Sequence, residues 1–180
     1  MRIKADKITK TLLAACGKGD LKSVKYHLKN NAKVNNKNSA GFFPLGGAAN
    51  GNHPEIAKLL IKSGARINMR SEYGWTPLFI TAHRGHIQVA EILINKGALL
   101  NVLTKFGYHS PDRYTPLHIA CEKNHFDIVK LLVKAGAMIN LKNGNKETPF
   151  DIAVKRRRYK LACYLALNGG RPASQRYEVL

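Results

Sequence analysis

Apolar and polar positions along this chain follow one plan that recurs. In the stretch from Thr115 to His125, Leu117, Ala120 and Cys121 fall at helical spacing and form a narrow apolar stripe. Pro116 stands one place into that helix, where its missing N–H is no loss, and Thr115 precedes it as a hydroxyl cap. The small pair Ala120–Cys121 lets a second helix approach closely, and the run Phe126 to Val133 supplies it. Gly136 can take the left-handed conformation that ends a helix. Ala137-Met138-Ile139-Asn140 then leads into Lys142-Asn143-Gly144-Asn145, which has turn chemistry. The pattern predicts helix, turn, helix and an extended, hairpin-like loop.

The same plan predicts a unit around Phe43-Pro44-Leu45, Ile56 and Leu60, and another around Thr76-Pro77-Leu78, Val89 and Leu93. The openings Lys10-Thr11, Phe43-Pro44, Thr76-Pro77, Thr115-Pro116 and Thr148-Pro149 are separated by 33, 33, 39 and 33 residues. Asn31, Gly64, Gly97, Gly136 and Gly169 keep the same register. A period of this size means stacked units, each unable to bury its apolar face alone. The expectation is an all-α solenoid of five units: a cap over 1–9, then repeats over 10–42, 43–75, 76–114, 115–147 and 148–170, and a tail over 171–180. Phe106-Gly107 matches Tyr73-Gly74, so the six extra residues of the third unit are expected near 108–113, lengthening one loop. The first and last units are degenerate, as terminal caps are, and the expectation is a complete small protein. Gly46-Gly47 sits inside a predicted helix, where each glycine costs ~1 kcal/mol relative to alanine. The N-terminal half is therefore expected to be less stable than the centre.

Thr115-Pro116-Leu117-His118-Ile119-Ala120 meets the Thr-Pro-Leu-His-x-Ala signature in full; Thr76 to Thr81 and Thr148 to Ala153 meet it nearly. Gly64-Ala65-Arg66-Ile67-Asn68, Gly97-Ala98-Leu99-Leu100-Asn101 and Gly136-Ala137-Met138-Ile139-Asn140 repeat a second element. On these motifs the chain resembles an ankyrin-repeat protein over roughly residues 5–170. The resemblance implies recognition on the concave side, through loop tips and the exposed face of each first helix. By position the residues expected there are Phe42, Arg70, Tyr73, Trp75, His83, Arg84, Lys105, Phe106, Tyr108, Tyr114, Lys123, Lys142 and Arg156. Aromatics and arginines dominate interface hot spots, and the chain's single tryptophan lies among them.

Charge changes the picture of the partner. Thirty Lys and Arg against 11 Asp and Glu give a formal charge of +19, which favours anionic partners and speeds their encounter. The expectation is a monomeric protein-interaction module holding an acidic or amphipathic segment of another protein; the alternative is nucleic acid or anionic lipid. Lysines spread over outer helices, as at Lys25, Lys58, Lys62, Lys130 and Lys134, argue for solubility more than for a nucleic-acid groove. Lys155 to Lys160 reads as a capping-helix face rather than an import signal.

Candidate chemistry adds little. No paired carboxylates, Cys/His pair, phosphate-cradling glycine loop or His-Glu-x-x-His is present in usable form, so no catalytic residue, metal or cofactor is expected. His53, His86 and His125 hold one place in successive units, so they lie in a row and cannot close on one metal. They are expected to hydrogen-bond at the inter-helix turn, and His118 near Thr115. Cys16, Cys121 and Cys163 read as small buried hydrophobes of a reducing compartment. With no run approaching ~20 apolar residues and no apolar leader at the start, the chain reads as intracellular and cytoplasmic, with the nucleus or delivery into a host cell left open.

Overall fold

The structure, a computed structural model, describes residues 11–105 and 113–174. Phe106, Tyr108 and most of the expected loop insertion lie outside the described residues. Ten helices are present among the described residues. They are α1 (11–18), α2 (Leu21–Lys29), α3 (Pro44–Asn50), α4 (Pro54–Lys62) and α5 (Pro77–Arg84), then α6 (Ile87–Asn95), α7 (Pro116–Lys123), α8 (Phe126–Lys134), α9 (Pro149–Lys155) and α10 (Tyr159–Leu167). Odd-numbered helices form an inner row, in which α3 packs on α5, α5 on α7 and α7 on α9. Even-numbered helices form an outer row, and α3·α4, α5·α6, α7·α8 and α9·α10 are the pairs within units. The result is the expected all-α solenoid.

Local chemistry explains where each inner helix starts. Pro44, Pro77, Pro116 and Pro149 all open helices. The Thr76 hydroxyl accepts the Phe79 N–H at 3.1 Å. Thr115 and Thr148 go further and form capping boxes with His118 and Asp151. Phe43 offers α3 no side-chain cap. The core runs the length of the stack, with Leu45, Leu78 and Leu117 from the inner row and Leu60, Leu93, Leu132 and Leu165 from the outer row all buried. Each such side chain contributes about 1.5–3 kcal/mol of hydrophobic stabilisation. Cys16 and Cys121 are buried as expected, but Cys163 is exposed, on the outward side of α10, whose buried residues are Leu161, Ala162 and Leu165.

Two polar ladders tie neighbouring units together. The side-chain oxygens of Asn35, Asn68, Asn101 and Asn140 accept the N–H groups of Arg66, Leu99, Met138 and Arg171 at 2.8, 2.9, 2.9 and 2.8 Å. On the other side of each unit, Nε2 of His53, His86 and His125 lies 3.2 Å from the carbonyls of Gly17, Asn50 and His83. The expected role of these three histidines at the inter-helix turns is thus what the structure shows.

In each loop between units one main-chain bond joins the two sides at matching places. Asn38 N–H reaches Phe42 O at 2.9 Å, Ser71 reaches Trp75 at 3.0 Å, Thr104 reaches Tyr114 at 2.9 Å and Asn143 reaches Glu147 at 2.9 Å. The residue before each closing carbonyl is left-handed: Gly41 at φ 75°, Gly74 at 77°, Arg113 at 50° and Lys146 at 62°. Arg113 takes the backbone place of Gly74; the rest of the expected insertion lies outside the described residues.

Candidate functional site on the concave face

Hairpin tips and inner helices converge at the N-terminal half of the concave face. Trp75 precedes the cap of α5, and its ring packs back along that helix. It stands 5.3 Å from the Phe79 ring and 5.6 Å from His83, nearly parallel to the latter. Tyr73 approaches from the hairpin tip at 6.1 Å. Phe42, one hairpin earlier, is 55% exposed, and Tyr73 is 40% exposed. Phe42, Tyr73 and Trp75 line an apolar groove of about 570 Å³ together with Gly46 and Gly47 of α3, Leu13 of α1 and Ile80 of α5. Arg84 stands at its rim, donating its Nε–H to Asn50 Oδ1 at 2.9 Å.

Arg84 is the charged residue that lines the groove, and at the second hairpin tip, between Ser71 and Tyr73, Glu72 stands 4.0 Å from Lys37. Burial first, then the neighbouring Lys123 and Arg84, hold His83 below the ordinary histidine range, so it is neutral at pH 7 and serves as a flat stacking partner. The Arg70 guanidinium donates to Leu103 O at 2.6 Å, bracing the next hairpin. The Lys105 N–H completes that junction through Tyr73 O at 3.0 Å, while its side chain stays exposed.

The other half of the face has a different character. Arg156 meets Glu122 at 3.3 Å, Lys155 meets Glu147 at 2.7 Å, and Lys142 donates to Ala173 O at 3.2 Å. Lys123 is exposed beside them. The expected recognition residues therefore divide. Phe42, Tyr73, Trp75, His83 and Arg84 come together with Lys123 near His83, whereas Lys142 and Arg156 lie farther along the face.

Tyr114 has to be removed from the exposed set. It is 7% exposed, and its ring stacks on His118 with centroids 5.7 Å apart. It packs into the core beneath its hairpin, whereas Phe42, which closes the first hairpin in the same way, stays exposed. His118 is fixed from both sides, with Nδ1 2.7 Å from Thr115 Oγ1 and Nε2 3.2 Å from Glu147 O. Burial pushes its pKa down to about 4.

Helix pairs with Pro-led inner helices, asparagine and histidine ladders, and left-handed hairpin corners together define the repeat. A family model described as ankyrin repeats (3 copies) matches residues 12–104 and 98–176. The chain belongs to the ankyrin-repeat family. No curated protein matches it. Ankyrin repeats generally mediate protein–protein interaction, and the family is typically non-enzymatic. Among the described residues of this ankyrin-repeat chain, no three His, Cys, Asp or Glu side chains cluster to hold a metal ion, and no helix is long and apolar enough to cross a membrane.

Sequence reasoning missed the groove. One signal was available: Gly47 stands where Ile80, Ile119 and Ile152 stand in later units. Those isoleucines are buried and fill the inner-row surface, and the glycine leaves it open.

Proposed function

We propose that the protein is an interaction module that grips an acidic or amphipathic segment of another protein across its concave face. One observation carries this reading: Phe42, Tyr73 and Trp75 line an open apolar groove with Arg84 at its rim, in a chain of charge +19. Aromatic and arginine side chains concentrate binding energy. The surrounding positive field speeds encounter with an acidic partner, while desolvated rings slow its release. A standard interface covers ~800 Å² on each side. The test is a nuclease-treated pull-down from whole-cell lysate at two salt concentrations, comparing the parent with Tyr73→Ala/Trp75→Ala. A discrete partner captured by the parent and lost in the double variant supports the reading.

A second reading rests on the exposed run Lys155 to Lys160, in which Arg157 and Arg158 have no acidic partner among the described residues. It assigns the chain to nucleic acid or anionic lipid. Capture that vanishes on nuclease treatment, falls steeply with salt and ignores the aromatic substitutions favours it over the first.

A further inference from the structure

The two glycines of α3 have unlike reasons to be there. A Cβ on Gly46 would stand 3.0 Å from the Phe43 ring, a tight approach that the ring would have to yield to by a few tenths of an ångström, so packing favours a glycine. A Cβ on Gly47 would meet nothing closer than the Gly17 N at 3.4 Å and Leu13 at 3.5 Å, which is ordinary contact. Nor is the Gly47 backbone left-handed. Neither sterics nor conformation requires glycine at that position, and glycine weakens the helix that carries it. Its effect in the folded molecule is to leave an apolar notch where later units place a buried isoleucine.

The surroundings of the notch say what fits it. Its walls are the Phe42, Tyr73 and Trp75 rings and the Ile80 side chain, and no acidic residue lines it. The charged group at its edge is Arg84, whose terminal N–H groups have no partner among the described residues. The Trp75 indole N–H is also buried without an acceptor among them, so ring contacts alone position that wall.

We propose that the Gly47 notch receives one large apolar side chain of an extended acidic segment of a partner protein, with a neighbouring carboxylate on that segment paired to Arg84. The inference rests on the concave-face reading and adds an anchor, a register and a residue class to it. The carboxylate accepts from the guanidinium fork while the apolar side chain covers Gly47, so recognition requires both groups on one short segment.

Trp75 is the chain's only tryptophan and lines the notch, so its fluorescence reads occupancy directly. The probes are short peptides of Asp, Glu, Gly and Ser with one central residue set to Leu, Phe or Ala. They are titrated against the full chain while Trp75 emission and the anisotropy of a labelled peptide are followed. The Leu and Phe peptides should bind about ten-fold or more tighter than the Ala peptide, the weight of burying one such side chain. Gly47→Ile should erase that preference, with Gly47→Ala intermediate, and Arg84→Gln should weaken all three peptides while the preference persists. Circular dichroism checks that the variants are folded, and Gly47→Ala carries the comparison should Gly47→Ile overpack against Leu13. Equal affinity for all three peptides, no binding of any, or a preference that survives both Gly47 variants overturns the proposal. So does dimerisation that Gly47→Ile abolishes, which would assign the notch to a second copy of the chain. If the Gly47 variants retain a partner that Tyr73→Ala/Trp75→Ala loses in the pull-down, the concave-face reading stands and the notch proposal falls alone.

Discussion

Adjacent residues of one type can hold opposite roles, as Gly46 and Gly47 do. Gly47→Ala should raise stability by about 1 kcal/mol, because alanine gains helix propensity and its methyl meets only ordinary contacts. Gly46→Ala should lower it, since its methyl presses on the buried Phe43 ring. Urea unfolding of both variants checks the contrast. His118 makes a second prediction. Its folded pKa of about 4 lies below the 6.5 of a free imidazole, so the unfolded chain takes up the proton first as pH falls. Its contribution is complete above about pH 6.5 and is lost between there and about pH 4, by up to about 3 kcal/mol. His118→Gln should lower stability at pH 7, through the lost bonds to Thr115 and Glu147, and flatten that part of the pH profile. Denaturant titrations at pH 7 and pH 4.5 read both effects. The role of His118 near Thr115 was legible because a cap is a local event spanning three residues. Tyr114 was not, because Phe42 and Tyr114 close equivalent hairpins and only packing against the neighbouring units decides which ring is buried.

At the level of elements, helices and ladders depend on different information. The inner helices were legible from threonine, proline and a period of 33, since caps and stripes are set by near neighbours. The left-handed corner at Arg113, in the place that Gly74 holds one loop earlier, was not, because arginine is not a residue that announces that conformation. The asparagine ladder is where elements are coupled. Asn68 accepts the Leu99 N–H at 2.9 Å from one unit to the next. Asn68→Ala should cost about 1 kcal/mol in overall stability. It should also lower the urea m-value if the units begin to separate, because stacked repeats are joined only through neighbour interfaces. Unfolding curves followed by circular dichroism and by Trp75 fluorescence should then cease to coincide. Between inner helices, α3 has two glycines and no side-chain cap, whereas α7 has a capping box. Amide hydrogen exchange should therefore be faster in α3 than in α7; the reverse order would refute the argument.

Across the whole molecule, the concave face is divided lengthwise. Apolar rings gather over units one to three, and ion pairs such as Arg156–Glu122 and Lys155–Glu147 lie over units four and five. That division was hidden in composition, because a charge of +19 is a sum and carries no position. If the partner is acidic, raising salt should slow its association far more than its dissociation, whereas Tyr73→Ala should mainly speed dissociation; stopped-flow kinetics separates the two. Gly46 and Gly47 have one more consequence. The groove they line is assembled from the units expected to be least stable, so its shape should be the first thing the molecule forfeits on warming. A guest seated there would clamp the fraying end, and its departure would let that end breathe. Occupancy and the integrity of the first two units become one variable, and the protein carries a fuse at the place where it makes contact.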